Sequence, residues 1–310
     1  MNFLRKNIKW VCHHAHLDKS NLITKESLYK TSVHMQDKWY IMEEYKKKYS
    51  ELELYNRMNS SVENIVSQNC NHIRSFIDVD STVGLMCVHS ADKLRNDWKS
   101  KGVHIQLATQ PLEGLAGKDS NIKLFEEAAN ICDIVGCLPS RDYDKSAEHL
   151  DIAFSTAKRL GKHVEAHLDQ CNLPSENETS RFCDFVEKYD YRGKARTVHS
   201  ISLACQPLDR QQEVASRLAS LNVGVIICPS AAISMKQSPE INAPIHNSIA
   251  PLGVLLDAGV DVGLGIDNIN DIFMPYCDGN LTFELRLLAE ATRTYDIDLL
   301  EKIATNKLGW

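Results

Sequence analysis

Long uninterrupted apolar segments are missing from this sequence of 310 residues. No stretch approaches the roughly 18 consecutive apolar residues of a membrane-spanning helix. The opening residues, MNFLRKNIKW, also lack the apolar run of a signal peptide. The cysteines, spread from Cys12 to Cys277, include no C-x-x-C pair, and several lie in apolar segments where a thiol acts as a small hydrophobic group. These absences predict a reduced, cytoplasmic protein that does not associate with a membrane.

Concentrated positive charge is scarce as well. The formal net charge is -6, and the only compact basic tract is Lys46-Lys47-Lys48. Because this tract lies in a charge-rich segment with a helical pattern, we interpret it as a solvated helix face. Nothing in the charge distribution indicates a nucleic-acid partner or an anionic membrane surface.

What the sequence does contain is a repeated alternation of short apolar segments and helical patterns. Such alternation predicts parallel strands joined by right-handed crossovers. The predicted strands are Trp10–His16, Ser75–Asp80, Val103–Thr109, Asp133–Ser140, His163–Asp169, Arg196–Ser200, Val223–Ser230 and Val260–Asp267. Eight such units favour a closed (β/α)8 barrel of the TIM type. The alternative is an open doubly wound sheet, but no glycine-rich phosphate loop follows any of these strands.

One long helical segment, residues 25–70, follows the first predicted strand as an insertion. Within it, Ser60 and Glu63 have the spacing of a capping box, which predicts that a helix begins there. No internal repeat or low-complexity linker interrupts the chain, so we expect residues 1–310 to form a single domain.

The carboxyl ends of the predicted strands carry most of the candidate chemistry. In the segment VCHHAHLDKS, residues 11–20, alternate side chains of a strand would share a face, so that His14 and His16 point the same way. A lone H-x-H is often only a polar strand end. Here, however, further strands end in His167, His199 and Asp267, and active sites of such barrels lie at this end. Together, His14, His16, His167 and Asp267 form an N3O set suited to Zn²⁺ or Fe²⁺ with room for water.

With these motifs in place, the sequence resembles the amidohydrolase superfamily, most closely its cytosine-deaminase-like branch. The resemblance runs from about Val11 to the C-terminus and rests on HHAHLDKS, IDVDS, TQPLEGL, DIVGCLPS, EAHLDQCN, TVHS, ICPS and HNSIAPLGVLLDAGVDVGLGIDNINDIFMPYCDGN. It implies one divalent metal ion held by the four residues of the N3O set, because strand four (DIVGCLPS) lacks the lysine that is carbamylated in two-metal relatives. It also implies that Asp267 accepts a proton from the metal-activated water, and that His199 polarises the substrate or stabilises the tetrahedral intermediate.

Two positions depart from the pattern of that branch. Gln170 replaces a glutamate that shuttles protons, and an amide can orient a substrate but cannot exchange a proton at neutral pH. Leu112 lies at or next to the position of a substrate-reading glutamine, for which Gln110 is a candidate replacement. Asp169 and Glu113 are candidates for the missing acid, with loop hydrogen bonding as the alternative. Cytosine therefore becomes a doubtful substrate, and the N-substituted rings of N-isopropylammelide-hydrolase-like enzymes become the preferred class.

Three more residues are candidates at the mouth of the barrel. Lys19 would bind an anionic ring oxygen, or donate a proton if its pKa is depressed, unless it simply pairs with Asp18 or solvent. Asn268 is a candidate substrate contact that could instead shape its loop, and His246 would flank the substrate from the loop after strand seven. His13 is expected to face the barrel wall, away from the metal.

The resemblance also leads to an expectation about architecture. Most relatives carry a small β-sandwich built from strands before and after the barrel, and neither end of this sequence offers material for one. We therefore expect a bare barrel, with the exposed face covered by residues 25–70 or by a second subunit of a homodimer.

These predictions favour a metal-dependent hydrolase that cleaves a C–N bond of a small heterocyclic substrate, as a deaminase or an N-dealkylating aminohydrolase. A cyclic amide hydrolase and a catalytically degenerate, ligand-binding barrel are the alternatives.

Overall fold

The computed structural model describes residues 8–234 and 249–309, and it contains one parallel sheet of eight strands in sequential order. The strands are β1 (Trp10–Cys12), β2 (Cys70–Asp78), β3 (His104–Gln110), β4 (Ile134–Cys137), β5 (His163–Leu168), β6 (Ala195–His199), β7 (Gly224–Ile227) and β8 (Val262–Leu264). A hydrogen bond of 2.9 Å from the His13 amide to the Leu264 carbonyl connects the last strand to the first. The sheet is thus a nearly closed barrel, which confirms the predicted (β/α)8 architecture.

Helices alternate with these strands along the chain. They are α1 (Met35–Lys46), α2 (Glu51–Ser67), α3 (Met86–Lys99), α4 (Asp119–Ile131), α5 (Ser146–Leu160), α6 (Glu178–Tyr189), α7 (Leu208–Ser220), α8 (Pro229–Ser234), α9 (Leu252–Asp257), α10 (Leu281–Thr292) and α11 (Ile297–Thr305). Short 3-10 turns cover Leu17–Lys19, Leu28–Thr31, Pro139–Lys145 and Ile201–Cys205. Within the described residues, none of the helices combines the length and the apolar character that crossing a bilayer requires.

Two helices, α1 and α2, form the predicted insertion between β1 and β2. The expected helix start at Ser60 and Glu63 is wrong, because both residues lie inside α2. The helix begins one residue after Ser50, whose hydroxyl accepts the Glu53 amide at 3.4 Å. Ser50 and Glu53 have the same S-x-x-E spacing, so the motif was the right signal at the wrong position.

The first strand is shorter than predicted, ending at Cys12 rather than at His16. Beyond Cys12 the backbone bonds to the segment that follows β8, with the His16 amide donating to the Asp267 carbonyl at 3.0 Å. The Ile266 amide donates in turn to the His14 carbonyl at 2.9 Å. These bonds replace regular strand pairing and place the H-x-H segment directly beside Asp267.

The amino-terminal end of the barrel is filled by a polar cluster, far from the candidate chemistry. Glu165 of β5 forms ion pairs of 2.7 Å with Arg74 and with Arg196. The Arg196 guanidinium also donates to the Gly309 carbonyl at 3.1 Å. His13 belongs to this end, where its Nε2 lies 3.1 Å from the Asn306 carbonyl oxygen. Paired charges and chain carbonyls therefore close the bottom of the barrel.

Candidate metal centre and substrate cavity

Four predicted side chains converge at the carboxyl end of the barrel. The Asp267 Oδ1 atom lies 3.2 Å from the Nε2 atoms of both His14 and His16. The His167 Nε2 atom lies 3.2 Å from the same two nitrogens. Ligands at the usual 2.0–2.1 Å from a tetrahedral metal would be about 3.3 Å apart. All four residues are buried, and their donor atoms lie within 4.8 Å of one another, so the cluster can hold a metal ion.

The backbone around this cluster adopts conformations that non-glycine residues rarely adopt. His199 at the end of β6 has a φ of 76°, Ser200 follows with 50°, and Asp267 has 68°. Such left-handed conformations are concentrated at functional sites, where the surrounding structure fixes them. The His199 Nε2 atom lies 3.8 Å from Asp267 Oδ2, whereas His14 and His16 contact Oδ1.

Electrostatics hold these groups in the protonation states that bind metals. Burial lowers the pKa of His16 to about 3 and that of His199 to about 4, and it lowers the pKa of His167 well below its ordinary value. Burial alone would raise the pKa of Asp267, but hydrogen bonds from His14 and His16 outweigh it and hold that pKa well below its usual range. At neutral pH the imidazoles of His16, His167 and His199 are therefore neutral, and Asp267 is a carboxylate.

An aromatic ring occupies the space next to the histidines on the β4 side. The Phe76 ring centroid lies 4.6 Å from that of His167 and 4.8 Å from that of His14. Gly136 of β4 makes room for it, since a Cβ atom at that position would lie 2.4 Å from Phe76 Cε1 and 2.2 Å from the Thr109 carbonyl oxygen. Thus β4 contributes no ligand to the cluster, and a hydrocarbon ring lies beside it.

A cavity opens above the cluster and reaches the helical insertion. Predicted site residues that line it are His16, Lys19, Gln110, Leu112, His167, Gln170, His199, Asp267 and Asn268. Lining residues that the sequence did not suggest are Met35, Lys38, Trp39, Leu138, Ala231, Ser234, Phe273 and Met274. His246, predicted to flank the substrate, lies outside the described residues.

Comparisons with known proteins find similar sequences and folds, although no protein-family model matches the chain. An uncharacterized protein of Haemophilus influenzae is 30% identical over 247 residues, which cover 78% of this chain and 88% of that protein. The N-isopropylammelide isopropyl amidohydrolase of Pseudomonas sp. (strain ADP) is 22% identical over 242 residues; the match covers 76% of this chain but only 56% of that protein. A 5-methylcytosine deaminase from Klebsiella pneumoniae, solved with 5-fluorocytosine, superposes with a TM-score of 0.87 at 17% identity, over 96% of this chain and 72% of that one. This chain therefore resembles an amidohydrolase in sequence and shares the fold of a deaminase.

Two glutamine side chains that line the cavity each hold one buried polar atom without a partner among the described residues. Gln110 Oε1 and Gln170 Nε2 are buried, and within the described residues neither atom has a hydrogen-bond partner. Leu112 instead presents an apolar side chain, while its carbonyl accepts a hydrogen bond from Arg141 Nε at 2.7 Å. Buried polar atoms are normally satisfied, so Gln110 and Gln170 are the groups best placed to bind a polar ligand.

Lys19 is buried in a network of alternating charges. Its Nζ atom lies 2.5 Å from Asp78 Oδ1 and 3.5 Å from Asp18 Oδ1. Lys46 reaches the other oxygen of Asp78 at 3.4 Å and also pairs with Asp80. Burial alone would lower the pKa of Lys19, but Asp18 and Asp78 outweigh it and raise the pKa above its ordinary value. Lys19 is therefore a fixed cation at the cavity wall, which argues against a proton-donating role.

The basic tract is only partly a solvated face. Lys47 and Lys48 are exposed as predicted, but the prediction is wrong for Lys46, which is 2% exposed. The reason is the orientation of α1, whose inward stripe includes Lys46 and whose partners Asp78 and Asp80 lie more than thirty residues further along the chain.

Asp169 and Glu113, the candidates for the missing acid, are absent from the lining of the cavity. The Asp169 carboxylate accepts the first two backbone amides of α6 at 2.8 and 3.1 Å and thereby caps that helix. Glu113 accepts hydrogen bonds from the hydroxyl groups of Ser81 and Thr82. Both carboxylates thus make structural hydrogen bonds, which is the alternative to an acid role that the sequence left open.

Asn268 lines the cavity and also shapes its loop. Its amide nitrogen donates to the buried carboxylate of Asp271. The other oxygen of Asp271 accepts the backbone amides of Phe273 and Met274 at 2.9 and 3.0 Å. Asp271 therefore fixes the turn that carries two apolar residues of the cavity wall.

Proposed function

We propose that this protein is a metal-dependent amidohydrolase, an enzyme that hydrolyses a C–N bond of a small nitrogen heterocycle and releases ammonia or a substituted amine. The observation that carries the proposal is the convergence of His14, His16, His167 and Asp267 at the floor of a cavity with mixed polar and apolar walls. The names of two similar proteins, a 5-methylcytosine deaminase and an N-isopropylammelide isopropyl amidohydrolase, support this class of reaction.

We further propose that these four residues bind one Zn²⁺ or Fe²⁺ ion. Three imidazole nitrogens and one carboxylate oxygen suit either ion. The Phe76 ring beside the histidines supports a single ion, because it supplies no ligand on the β4 side. A metal ion held there would act as a Lewis acid and bring the pKa of a water molecule toward neutrality.

The protein side chains would then manage protons and orientation. Asp267 would accept the proton of the attacking water and return it to the leaving amine, since Gln170 cannot exchange a proton. In this step the water oxygen bonds to the ring carbon, the C–N bond breaks, and the amine leaves with the proton. His199, whose Nε2 is too far from Asp267 Oδ2 at 3.8 Å for a hydrogen bond, would donate to the substrate oxygen or ring nitrogen.

Gln110, Gln170, Asn268 and Lys19 would recognise the ring. The unpartnered Gln110 Oε1 and Gln170 Nε2 offer an acceptor and a donor, which complement the N–H and C=O groups of a ring amide. Leu112 would contribute an apolar contact to the ring face. We also propose a reducing compartment, such as the cytoplasm, which is supported by the ten free cysteines.

A second candidate is a barrel that binds a heterocycle without turnover, which the glutamine at position 170 favours. Product analysis separates the two. Zinc- or iron-loaded protein, with Asp267→Asn as control, is incubated with amino- and alkylamino-pyrimidines, triazines and pterins, and released amines are measured by mass spectrometry. Ammonia identifies a deaminase and an alkylamine an N-dealkylating enzyme. A product that gains water without releasing an amine identifies ring opening. Bound metal without any product from any substrate contradicts the proposal and favours the binding role.

A further inference from the structure

The inward face of α1 carries two lysines with different surroundings. Lys46 pairs with Asp78 and Asp80. Lys38, eight positions earlier on the same face, is 5% exposed and donates from Nζ to the Phe273 carbonyl at 3.1 Å. Among residues 8–234 and 249–309, no carboxylate lies within 4 Å of that Nζ atom. Lys38 is therefore a buried cation that, unlike Lys46, has no ion pair with a described carboxylate.

Lys38 lines the cavity, and its hydrogen bond to Phe273 leaves further donors of the ammonium group for a ligand there. An ammonium group has three donors, and Phe273 accepts one of them. Burial lowers the pKa of Lys38, an effect that the more distant Asp271 carboxylate partly offsets. Asp271 itself is occupied by the backbone amides of Phe273 and Met274 and by the Asn268 side chain. A buried ammonium is unfavourable unless an anion pairs with it, and the cavity is where such an anion fits.

The rest of the cavity wall near α1 suits a flat ring rather than a second charged group. Trp39, Leu112 and Leu138 belong to one buried apolar cluster, and Phe273 packs against it. Lys19, the other cation of the lining, already contacts Asp78 and Asp18. Of the two described lysines that line the cavity, Lys38 is the one that has no carboxylate within 4 Å among the described residues.

We propose that Lys38 binds an anionic oxygen of the substrate and makes this cavity selective for acidic heterocycles, in which the oxygen belongs to a ring carboxylate or to an ionised ring oxygen. This inference rests on the proposed function, because it assigns a substrate class to the same cavity. Lys38 is a specificity residue in this account and takes no part in proton transfer.

Equilibrium binding to metal-loaded protein tests this without requiring turnover. Isothermal titration calorimetry compares uracil-6-carboxylate with its carboxamide, and barbiturate with uracil, so that the two sources of anionic oxygen are separated. We expect the wild type to bind the anionic member of at least one pair about tenfold or more tightly, as a charge-assisted hydrogen bond implies. Lys38→Met should abolish that preference while keeping the affinity for the neutral member, and Lys38→Arg should retain part of it. The exposed Lys48→Met is the matched control and should behave as the wild type.

Several results would overturn the inference: no anion preference in the wild type, an undiminished preference in Lys38→Met, or no binding of any member of either pair. If Lys38→Met loses affinity for the neutral members as strongly as for the anions, the residue only supports the wall, and the proposal is wrong. Released amine without anion preference would reject the role of Lys38 and leave the hydrolase proposal standing. Anion preference without released amine would support the role of Lys38 and reject the hydrolase proposal.

Discussion

Removing the buried charge of Lys46 should destabilise the protein far more than removing the exposed charge of Lys47. Lys46 Nζ is buried between Asp78 and Asp80, and the pKa of Lys46 is raised because these carboxylates outweigh the effect of burial. In Lys46→Met the two carboxylates stay buried, while one of them keeps Lys19 as a partner. Breaking a buried ion pair from one side typically costs about 3–5 kcal/mol. We expect a loss of unfolding free energy of that size.

Urea unfolding followed by circular dichroism, on metal-free protein at pH 7, measures this loss. Lys47→Met is the matched control, because Lys47 pairs with Glu44 on the surface, where the two side chains are 57% and 67% exposed. That variant should unfold at the same urea concentration as the wild type. The double variant Lys46→Met/Asp80→Asn should recover part of the loss, since one unpaired charge is gone. A Lys46→Met protein within about 1 kcal/mol of the wild type would refute the reasoning.

Two further predictions concern the barrel interior and pH. Gly136→Ala should lower the stability by about 1–3 kcal/mol and weaken metal binding, because the added methyl group collides with Phe76 and the Thr109 carbonyl. Gly253→Ala, where a Cβ meets nothing within 4 Å, is its control in the same thermal melts and metal titrations. Burial holds the folded-state pKa of His199 near 4, so the unfolded chain binds a proton there first, and the metal-free wild type should lose stability relative to a His199→Asn variant as the pH falls below about 6.5. Denaturant titrations of both proteins between pH 4 and 8 should show the wild type losing about 1 kcal/mol per pH unit relative to the variant below pH 6.5, whereas a difference that does not change with pH would contradict the assignment.

The strand order could be predicted from the sequence because each barrel strand is a short apolar run, followed in most cases by a helix. The first and last residues of the strands were harder to predict. The first strand ends early because His14 and His16 bond to the segment after β8, a tertiary contact that no local pattern encodes. The start of α2 was misplaced because two S-x-x-E motifs occur in one helical segment, and the local pattern does not rank them.

The candidate metal cluster could also be anticipated, since barrel topology brings strand ends together whatever their separation in sequence. The residues that helix α1 brings to the cavity could not be predicted from the sequence. Lys38 and Trp39 are ordinary residues of a charged helix until the helix is placed over the barrel mouth. Lys46 looked solvated because its partners belong to β2 and the residues after it, and only the folded chain shows the charge pairing.

Metal analysis of purified variants tests the central claim most directly. Wild type and His167→Ala are loaded with Zn²⁺ or Fe²⁺, dialysed at pH 7 and measured by inductively coupled plasma mass spectrometry, with the exposed His104→Ala as control. We predict one metal ion per chain in the wild type and in His104→Ala, and a large loss in His167→Ala. A wild type that retains no metal, or a His167→Ala protein that retains it fully, would contradict the proposed metal centre.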